Sequence, residues 1–375
     1  MTTVSTGHAA SARTSALSKR VWFALVSVGL MGQLAWTVEN MYLNVFVYDT
    51  ITDDPTVIAA MVAASALTAT IATLLFGAVS DRVGKRRVFI AGGYVLWGLS
   101  TMAFGLISVE GFERLAPVAD AVVLTGIAVV LLDCVMSFFG SSANDAAFMA
   151  WVTDVTNPGN RGRVESVLAA LPLLSILIVF GTVDGFAASG QWPTFFVVIG
   201  SAIIIVGVIA WFLVSDARGI VPQPDGVFRS IAHGLRPSAV RANPRLYLAL
   251  CVTLMLGIGT QVFLPYLLIY IQRYLKIEAY TLVLGVVLVG SAAFSVLGGR
   301  IIDRVGKLTF LSPAVVLYSL GLLLMFFARD MIFVMVAGTV MMTGFRCRGR
   351  ARIVSAWSLR QFCVMARQGS SRRRA

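Results

Sequence analysis

The stretch from Val21 to Ser80 contains no Lys, Arg or His and is mostly apolar. An apolar segment of about 20 residues crosses a bilayer as a helix. The whole chain is 58% hydrophobic and 13% charged, with a mean hydropathy of +0.85, whereas about a quarter of the residues of a soluble domain are charged. A soluble core of this size could not bury so much apolar surface. We therefore predict an all-α polytopic membrane protein.

The apolar runs predict ten membrane spans. Asp54 and Pro55 mark the start of the second, because a capping side chain before a proline favours a helix N-terminus. The fourth span is too long for a simple crossing, so it either extends into the cytoplasm or breaks near Gly140. The predicted spans are 22–46, 57–79, 88–109, 120–148, 165–187, 193–214, 246–271, 280–300, 308–328 and 330–345.

The basic residues predict the orientation. With the N-terminus inside, the inner segments carry 17 Lys and Arg and the outer loops carry 4, and positive residues collect on the cytoplasmic side. With ten spans, both termini lie in the cytoplasm, and the protein resides in the cytoplasmic membrane. The net charge of +12 is therefore assigned to inner loops beside membrane lipid, and not to a nucleic-acid partner.

A loop rich in Pro, Gly, Ser and Arg separates six spans from four and reads as a linker between two bundles. The predicted domains are a cytoplasmic tail (1–20), a six-helix bundle (21–215), a cytoplasmic linker (216–244), an incomplete four-span bundle (245–345) and an Arg-rich tail (346–375).

The sequence DRVGK occurs twice, at Asp81–Lys85 and Asp303–Lys307. The two copies lie six spans apart, which indicates a duplicated six-span unit of the kind found in secondary transporters. In the first copy, Gly84 suits a turn with positive φ, Gly77 suits close approach of another helix, and Asp81 suits pairing with a basic partner.

These loops resemble the signature of the major facilitator superfamily. The first copy matches at Gly77, Asp81, Arg82, Gly84, Lys85 and Arg86, and the second at Gly299, Asp303, Arg304, Gly306 and Lys307. The resemblance covers residues 20–345. It implies two bundles that rock about a central cavity, with these loops as conformational switches. It also implies that Asp81 stabilises the outward-facing state, with Arg163 as a candidate partner.

Polar residues within the spans mark a candidate cavity, because polar groups in the membrane are costly and usually functional. At 100° per residue, one stripe of span 1 holds Gln33, Trp36, Thr37, Asn40 and Asn44. Glu39 lies off this stripe, nearer a contact with another helix. The candidate solute and cation residues are Gln33, Trp36, Glu39, Asn40, Asn44, Asp133, Asn144, Asp145, Gln261 and Tyr266, while Thr37 also lies on the stripe. The spans hold carboxylates and no interior cation, which favours coupling to H⁺ or Na⁺, with Glu39 and Asp133 as candidate coupling sites.

The solute class follows from shorter similarities. Span 1, with "GQLAWTVEN", and the loop "AWVTDVTNPGNRGRV" are similar to the glycoside–cation symporter branch and its sucrose-transporter relatives, which favours a sugar or glycoside. An exporter of drug-like or other metabolites, and a non-transporting receptor or scaffold on the same fold, remain alternatives. We predict no enzyme, cofactor or metal site, because no catalytic constellation occurs and the four cysteines have no ligand spacing.

The last thirty residues differ in composition from the apolar spans before them. Residues 346–375 hold nine Arg, no Lys and no acid. Either they form a basic cytoplasmic tail or they are read out of frame and replace two further spans. On the second interpretation the chain is C-terminally truncated, and it is predicted to be a poor or inactive transporter.

Overall fold

The computed structural model describes residues 17–115, 120–157, 159–216, 241, 244–277, 279–305 and 307–345. Contacts between Cα atoms divide the chain into two compact units, Met1–Val227 and Phe228–Ala375. Every regular element in the described residues is helical. Most of the predicted linker 216–244, and all of the Arg-rich tail 346–375, lie outside the described residues.

Six helices of the first unit are long and apolar enough to cross a membrane. They are α1 (Lys19–Thr50), α2 (Pro55–Val83), α3 (Arg86–Leu106), α4 (Ala121–Val155), α5 (Arg161–Thr182) and α6 (Trp192–Leu213). Two short helices, Val109–Leu115 and Asp184–Ala188, lie before α4 and after α5.

The ends of α2 follow from its sequence. Asp54 caps the helix by accepting a hydrogen bond from the Thr56 amide at 2.8 Å, and Pro55 occupies the first turn. At the other end, Gly84 has φ +69° and closes the helix in the left-handed conformation. Both features confirm the predictions, because a proline is tolerated where no intrahelical N–H partner exists and glycine adopts positive φ without a steric penalty.

Two long helices of the first unit contain π-helical segments, at Val38–Tyr42 within α1 and at Ser141–Phe148 within α4. The second begins directly after Gly140, where the sequence predicted a break, and α4 also runs on to Val155. π-Segments interrupt the regular hydrogen-bond ladder and occur frequently at functional sites. Both segments carry candidate cavity residues.

Close packing of α3 against α6 builds much of this unit. A Cβ at Gly98 would stand 2.5 Å from the Gly200 carbonyl oxygen, so only glycine permits this separation. An aromatic cluster with Tyr42, Phe46 and Phe196 fills the space beside α1. Leu67, Leu131, Phe212 and other large apolar residues point outward, as expected of surfaces that contact lipid.

The described part of the second unit contains four helices. They are α7 (Pro244–Ile269, continued by a π-helical segment at Tyr270–Tyr274), α8 (Tyr280–Val305), α9 (Lys307–Phe327) and α10 (Met331–Phe345). A Cβ at Gly338 would stand 2.9 Å from Val287 of α8, so α10 packs tightly against that helix. The architecture of six helices followed by four is therefore confirmed.

Candidate functional site

The predicted polar stripe of α1 divides into buried and accessible parts. Thr37 and Asn44 are buried, whereas Gln33, Trp36 and Asn40 are half-buried. The Thr37 hydroxyl lies 3.0 Å from the Ser175 hydroxyl of α5. Thr37 therefore joins two helices, and the accessible part of the stripe is Gln33, Trp36 and Asn40.

Glu39 of α1 and Asp133 of α4 form a carboxylate pair, in which Asp133 is buried and Glu39 is half-buried. The Ser137 hydroxyl donates to Glu39 Oε1 at 2.7 Å, so Glu39 faces α4 as the prediction of a helix contact requires. Asp133 is 1% exposed, interacts electrostatically with Glu39 and lies close to Ser65 of α2. We refer to Glu39 and Asp133 below as the carboxylate pair.

One oxygen of each member of the pair has no partner. Glu39 Oε2 and Asp133 Oδ1 are buried and make no hydrogen bond with the described residues. The sequence contains no Lys, Arg or His between Val21 and Ser80, or between Val88 and Glu113, so no basic residue of those segments neutralises the pair. Buried carboxylate oxygens normally have hydrogen-bond or charge partners, and this departure makes the pair a candidate functional site.

A second polar group lies at the π-segment of α4. Asp145 is exposed, and its Oδ1 accepts a hydrogen bond from the Asn144 side chain at 3.0 Å. The Trp36 indole of α1 lies close enough to interact with the Asp145 carboxylate. The Tyr94 hydroxyl of α3 lies 3.0 Å from Asn144 Oδ1 and fixes that amide. Trp36, Asn144 and Asp145 are called the Asp145 cluster below.

The first signature loop is organised around one buried arginine. Arg86 is 4% exposed, and its Nε lies 3.1 Å from Asp154 Oδ2 near the C-terminal end of α4. Its Nη1 donates to the Ser80 hydroxyl at 2.6 Å, and its Nη2 pairs with Asp81. One guanidinium therefore joins the C-terminal ends of α2 and α4 to the N-terminal end of α3.

Two interpretations of this loop need correction. Asp81 pairs with Arg86 here, whereas the Arg163 guanidinium lies 5.5 Å from the centre of the Trp22 ring. Asp81 reaches Arg86 because Gly84 turns the chain back between them. A Cβ at Gly77 would meet no atom within 4 Å, so no close helix approach occurs there among the described residues. Arg82 and Lys85 are exposed.

The second signature copy lies at the junction of α8 and α9. Gly299, Asp303 and Arg304 belong to the last turns of α8, and Lys307 begins α9. Gly306 lies outside the described residues, as do the side chains of the others. In α7, Gln261 is exposed and Tyr266 is half-buried.

Sequence reasoning missed several residues of these groups, among them Asp154, Ser65 and Tyr94. Asp154 is the one acid in the loop sequence "AWVTDVTNPGNRGRV", and a lone acid among basic residues was a usable signal. Ser65 and Tyr94 had no such signal, because their roles depend on which helices pack together.

A helical bundle with polar groups inside its spans and a charge network at one end is typical of a multi-pass membrane transporter. Residues 21–360 match the family described as the Major Facilitator Superfamily. The chain belongs to that family, so it is a transporter and not an enzyme. No curated protein matches the sequence significantly.

Solved structures show the same fold at low sequence identity. A mutant of the nucleoside transporter NupG is 12% identical, with a TM-score of 0.67, and the match covers 88% of this chain and 81% of that one. The partially occluded, inward-open xylose transporter XylE from E. coli is 16% identical, with a TM-score of 0.62, covering 88% and 83%. A bacterial homologue of the human lysosomal transporter Spinster is 14% identical, with a TM-score of 0.52, covering 90% and 79%.

Proposed function

We propose that this transporter moves a small polyhydroxylated solute, a sugar or a glycoside, by alternating access with symport of a cation. The observation that carries the solute class is the Asp145 cluster. Its indole offers an apolar face, and its amide and carboxylate offer fixed polar atoms. A few oriented polar groups beside an aromatic surface are the usual composition of a small-molecule site.

Two structural neighbours support this solute class. XylE is described as a proton:xylose symporter, and NupG as a nucleoside transporter. Xylose and nucleosides both carry vicinal sugar hydroxyls, and a carboxylate can accept a hydrogen bond from each of two such hydroxyls. Half-buried Gln33 and Asn40 supply further hydrogen-bonding groups on the same helix as Trp36.

The carboxylate pair supports coupling to a cation. Two acids with buried, unpartnered oxygens favour binding of positive charge, and the proposed ion is H⁺ or Na⁺. Such a site favours a coupled carrier over a receptor or scaffold on this fold, because a scaffold has no need of unpartnered carboxylates in its core.

We also propose that the signature loop around Arg86 holds one conformational state. Arg86 connects three helices at the inner end, so a rearrangement of the bundle has to break or move these contacts. Asp81→Asn should slow solute exchange in proteoliposomes and leave solute affinity unchanged. Unchanged exchange would exclude this role for Asp81.

The proposed location is the cytoplasmic membrane with both termini inside. The excess of Lys and Arg in the inner segments supports it. Accessibility of a single cysteine placed before α1 to an impermeant thiol reagent tests this orientation, and labelling from outside intact cells would contradict it.

Equilibrium binding to the purified chain tests the solute class. Radiolabelled D-xylose and uridine serve as probes, and at least one should bind. Trp36→Ala should reduce affinity at least tenfold, whereas Phe212→Ala, at an outward-facing position, should not. Failure of both probes, with binding of an apolar drug-like compound instead, would favour the exporter alternative. Binding without any exchange across a membrane would favour the receptor or scaffold.

A further inference from the structure

We propose that Tyr94 is a positioning residue of the candidate solute site, and that it orients the Asp145 carboxylate through the side chain of Asn144. Its role in solute binding rests on the proposed function. The hold on Asp145 itself can be measured without any solute, so the two proposals can fail separately.

A chain of hydrogen bonds runs from α1 to the Asp145 carboxylate. The Tyr94 hydroxyl of α3 lies 2.9 Å from the Val28 carbonyl oxygen of α1 and 3.0 Å from Asn144 Oδ1 of α4. Asn144 Nδ2 then donates to Asp145 Oδ1 at 3.0 Å. Tyr94 and Asn144 are buried, whereas Asp145 is exposed. The accessible carboxylate is therefore connected to a buried tyrosine by a single amide.

The donors and acceptors of this chain fit together in one direction. An ionised carboxylate only accepts hydrogen bonds, so the Asn144 amide must turn its NH₂ group toward Asp145 and its oxygen toward Tyr94. The Tyr94 hydroxyl has one proton, and two acceptors lie within reach of it, Asn144 Oδ1 and the Val28 carbonyl. The amide oxygen receives a hydrogen bond from Tyr94 only when the proton points toward Asn144. Tyr94 therefore determines how firmly the amide, and with it Asp145, is held.

The backbone around this chain leaves little freedom. Gly93 precedes Tyr94 and Ala143 precedes Asn144, and a Cβ at Gly93 would stand 2.6 Å from Ala143 Cβ. Helices α3 and α4 are therefore in contact beside both side chains. On α1, a Cβ at Gly32 would overlap Asn144 Oδ1 and stand 2.7 Å from the Tyr94 hydroxyl oxygen. Glycine at this position leaves the space that the amide and the hydroxyl occupy.

The Tyr94 ring also connects to the aromatic member of the Asp145 cluster. The buried Trp97 ring lies with its centre 5.5 Å from that of Tyr94 and 5.1 Å from that of Trp36. Helix α3 therefore supports the indole through the ring of Trp97 and the carboxylate through the hydroxyl of Tyr94. Because the two routes use different parts of Tyr94, Tyr94→Phe interrupts the second and keeps the ring contact of the first.

The first readout is chemical modification of Asp145 in the full chain, in detergent and without solute. A water-soluble carbodiimide with an amine modifies accessible carboxyls, and mass spectrometry gives the rate at Asp145. Tyr94→Phe should raise this rate about threefold or more, a factor that corresponds to the loss of one hydrogen bond. Tyr42→Phe is the matched control, because the buried Tyr42 hydroxyl donates to the Asp184 carboxylate at 2.7 Å. It should leave the rate at Asp145 unchanged.

A second background separates positioning from a general loosening of the bundle. Asn144→Ala interrupts the chain by itself, so Tyr94→Phe should add no further change in Asp145 reactivity to that variant. An equal change in both backgrounds would show that Tyr94 acts through packing, and it would overturn the inference. Gly32→Ala keeps every hydrogen-bonding group but displaces the amide, and it should also raise the rate at Asp145.

The second readout is solute affinity. For whichever of D-xylose and uridine binds, Tyr94→Phe should weaken binding about three- to tenfold, and Tyr42→Phe should not. Unchanged reactivity of Asp145 in Tyr94→Phe, or changed reactivity with unchanged affinity, would overturn the inference. Changed reactivity in a chain that binds neither probe would support the hold of Tyr94 on Asp145 and reject the proposed solute class.

Discussion

Arg86 and Asp154 join the N-terminal end of α3 to the C-terminal end of α4 through an ion pair of 3.1 Å between Nε and Oδ2. The same guanidinium reaches Ser80 and Asp81 at the end of α2. Three acceptors in different directions need the planar arrangement of arginine donors, which lysine does not have. This geometry gives the signature loop a structural function beyond its positive charge.

Arg86→Lys should therefore destabilise the first unit. A lysine retains the charge but loses at least one of the three contacts, and a buried group left without a partner costs about 1–3 kcal/mol. The melting temperature in detergent should fall. Arg82→Lys is the control, because Arg82 is exposed. Equal melting temperatures for the two variants would mean that the Arg86 contacts contribute little.

The two glycines of the first signature loop should respond oppositely to alanine. Gly84 has φ +69°, where a Cβ costs roughly 1–2 kcal/mol, so Gly84→Ala should lower the melting temperature. Gly77 is helical and has open space at its Cβ position, so Gly77→Ala should have no effect or stabilise by about 0.5–1 kcal/mol. A larger loss at Gly77 than at Gly84 would contradict this assignment.

Ser137→Ala should destabilise the contact between α1 and α4. The change removes the donor to Glu39 Oε1 and leaves a buried acceptor unsatisfied, at a cost of about 1–3 kcal/mol. Ser166→Ala is the control, because Ser166 is exposed and bonds only within its own helix, to the Gly162 carbonyl at 2.8 Å. Melting temperatures in detergent provide the measurement. Equal values for both variants would show that Glu39 does not depend on this hydroxyl.

The N-terminal end of α2 should show a pH-dependent contribution of Asp54 to stability. Hydrogen bonds from the Thr56 hydroxyl and amide lower the pKa of Asp54 below its usual value. A carboxylate whose pKa is lowered in the folded state stabilises the fold when the pH is above the pKa of the unfolded chain, about 3.9. That contribution is lost as the pH falls through the folded pKa.

The melting temperature of the wild-type protein should therefore fall relative to that of Asp54→Asn as the pH falls below about 4. Asparagine caps without titrating, which makes it the suitable comparison. Asp53→Asn, a neighbouring exposed position, controls for a general charge effect. A constant difference between wild type and Asp54→Asn from pH 7 to pH 3 would contradict this role for Asp54.

Local features of the fold were predictable because they depend on adjacent residues. The cap at Asp54, the turn at Gly84 and the lengths of the apolar helices need only nearby sequence. The pairings of the site were not predictable, because Arg86 and Asp154 are 68 residues apart and Glu39 and Ser137 are 98 apart. Their contact depends on how the helices pack.

The helical wheel of α1 was reliable only in part, for a physical reason. It assumes 3.6 residues per turn, whereas Val38–Tyr42 is a π-helical segment with a wider turn. Asn44 follows this segment, and it is buried although the wheel placed it on the polar stripe. Gln33 and Trp36 precede the segment and are half-buried. Thr37 also precedes it but is buried, because its hydroxyl contacts Ser175 of α5.

The pH dependence of solute affinity tests the central claim most directly, which is that solute and proton bind to the same bundle and influence each other. Binding of radiolabelled D-xylose, or of uridine where it binds better, is measured between pH 6 and pH 8 in wild type and Glu39→Gln. We predict that wild-type affinity rises about fivefold or more as pH falls, the size of a typical coupling, and that the variant shows no dependence. Wild-type affinity that does not change with pH would contradict proton-coupled transport.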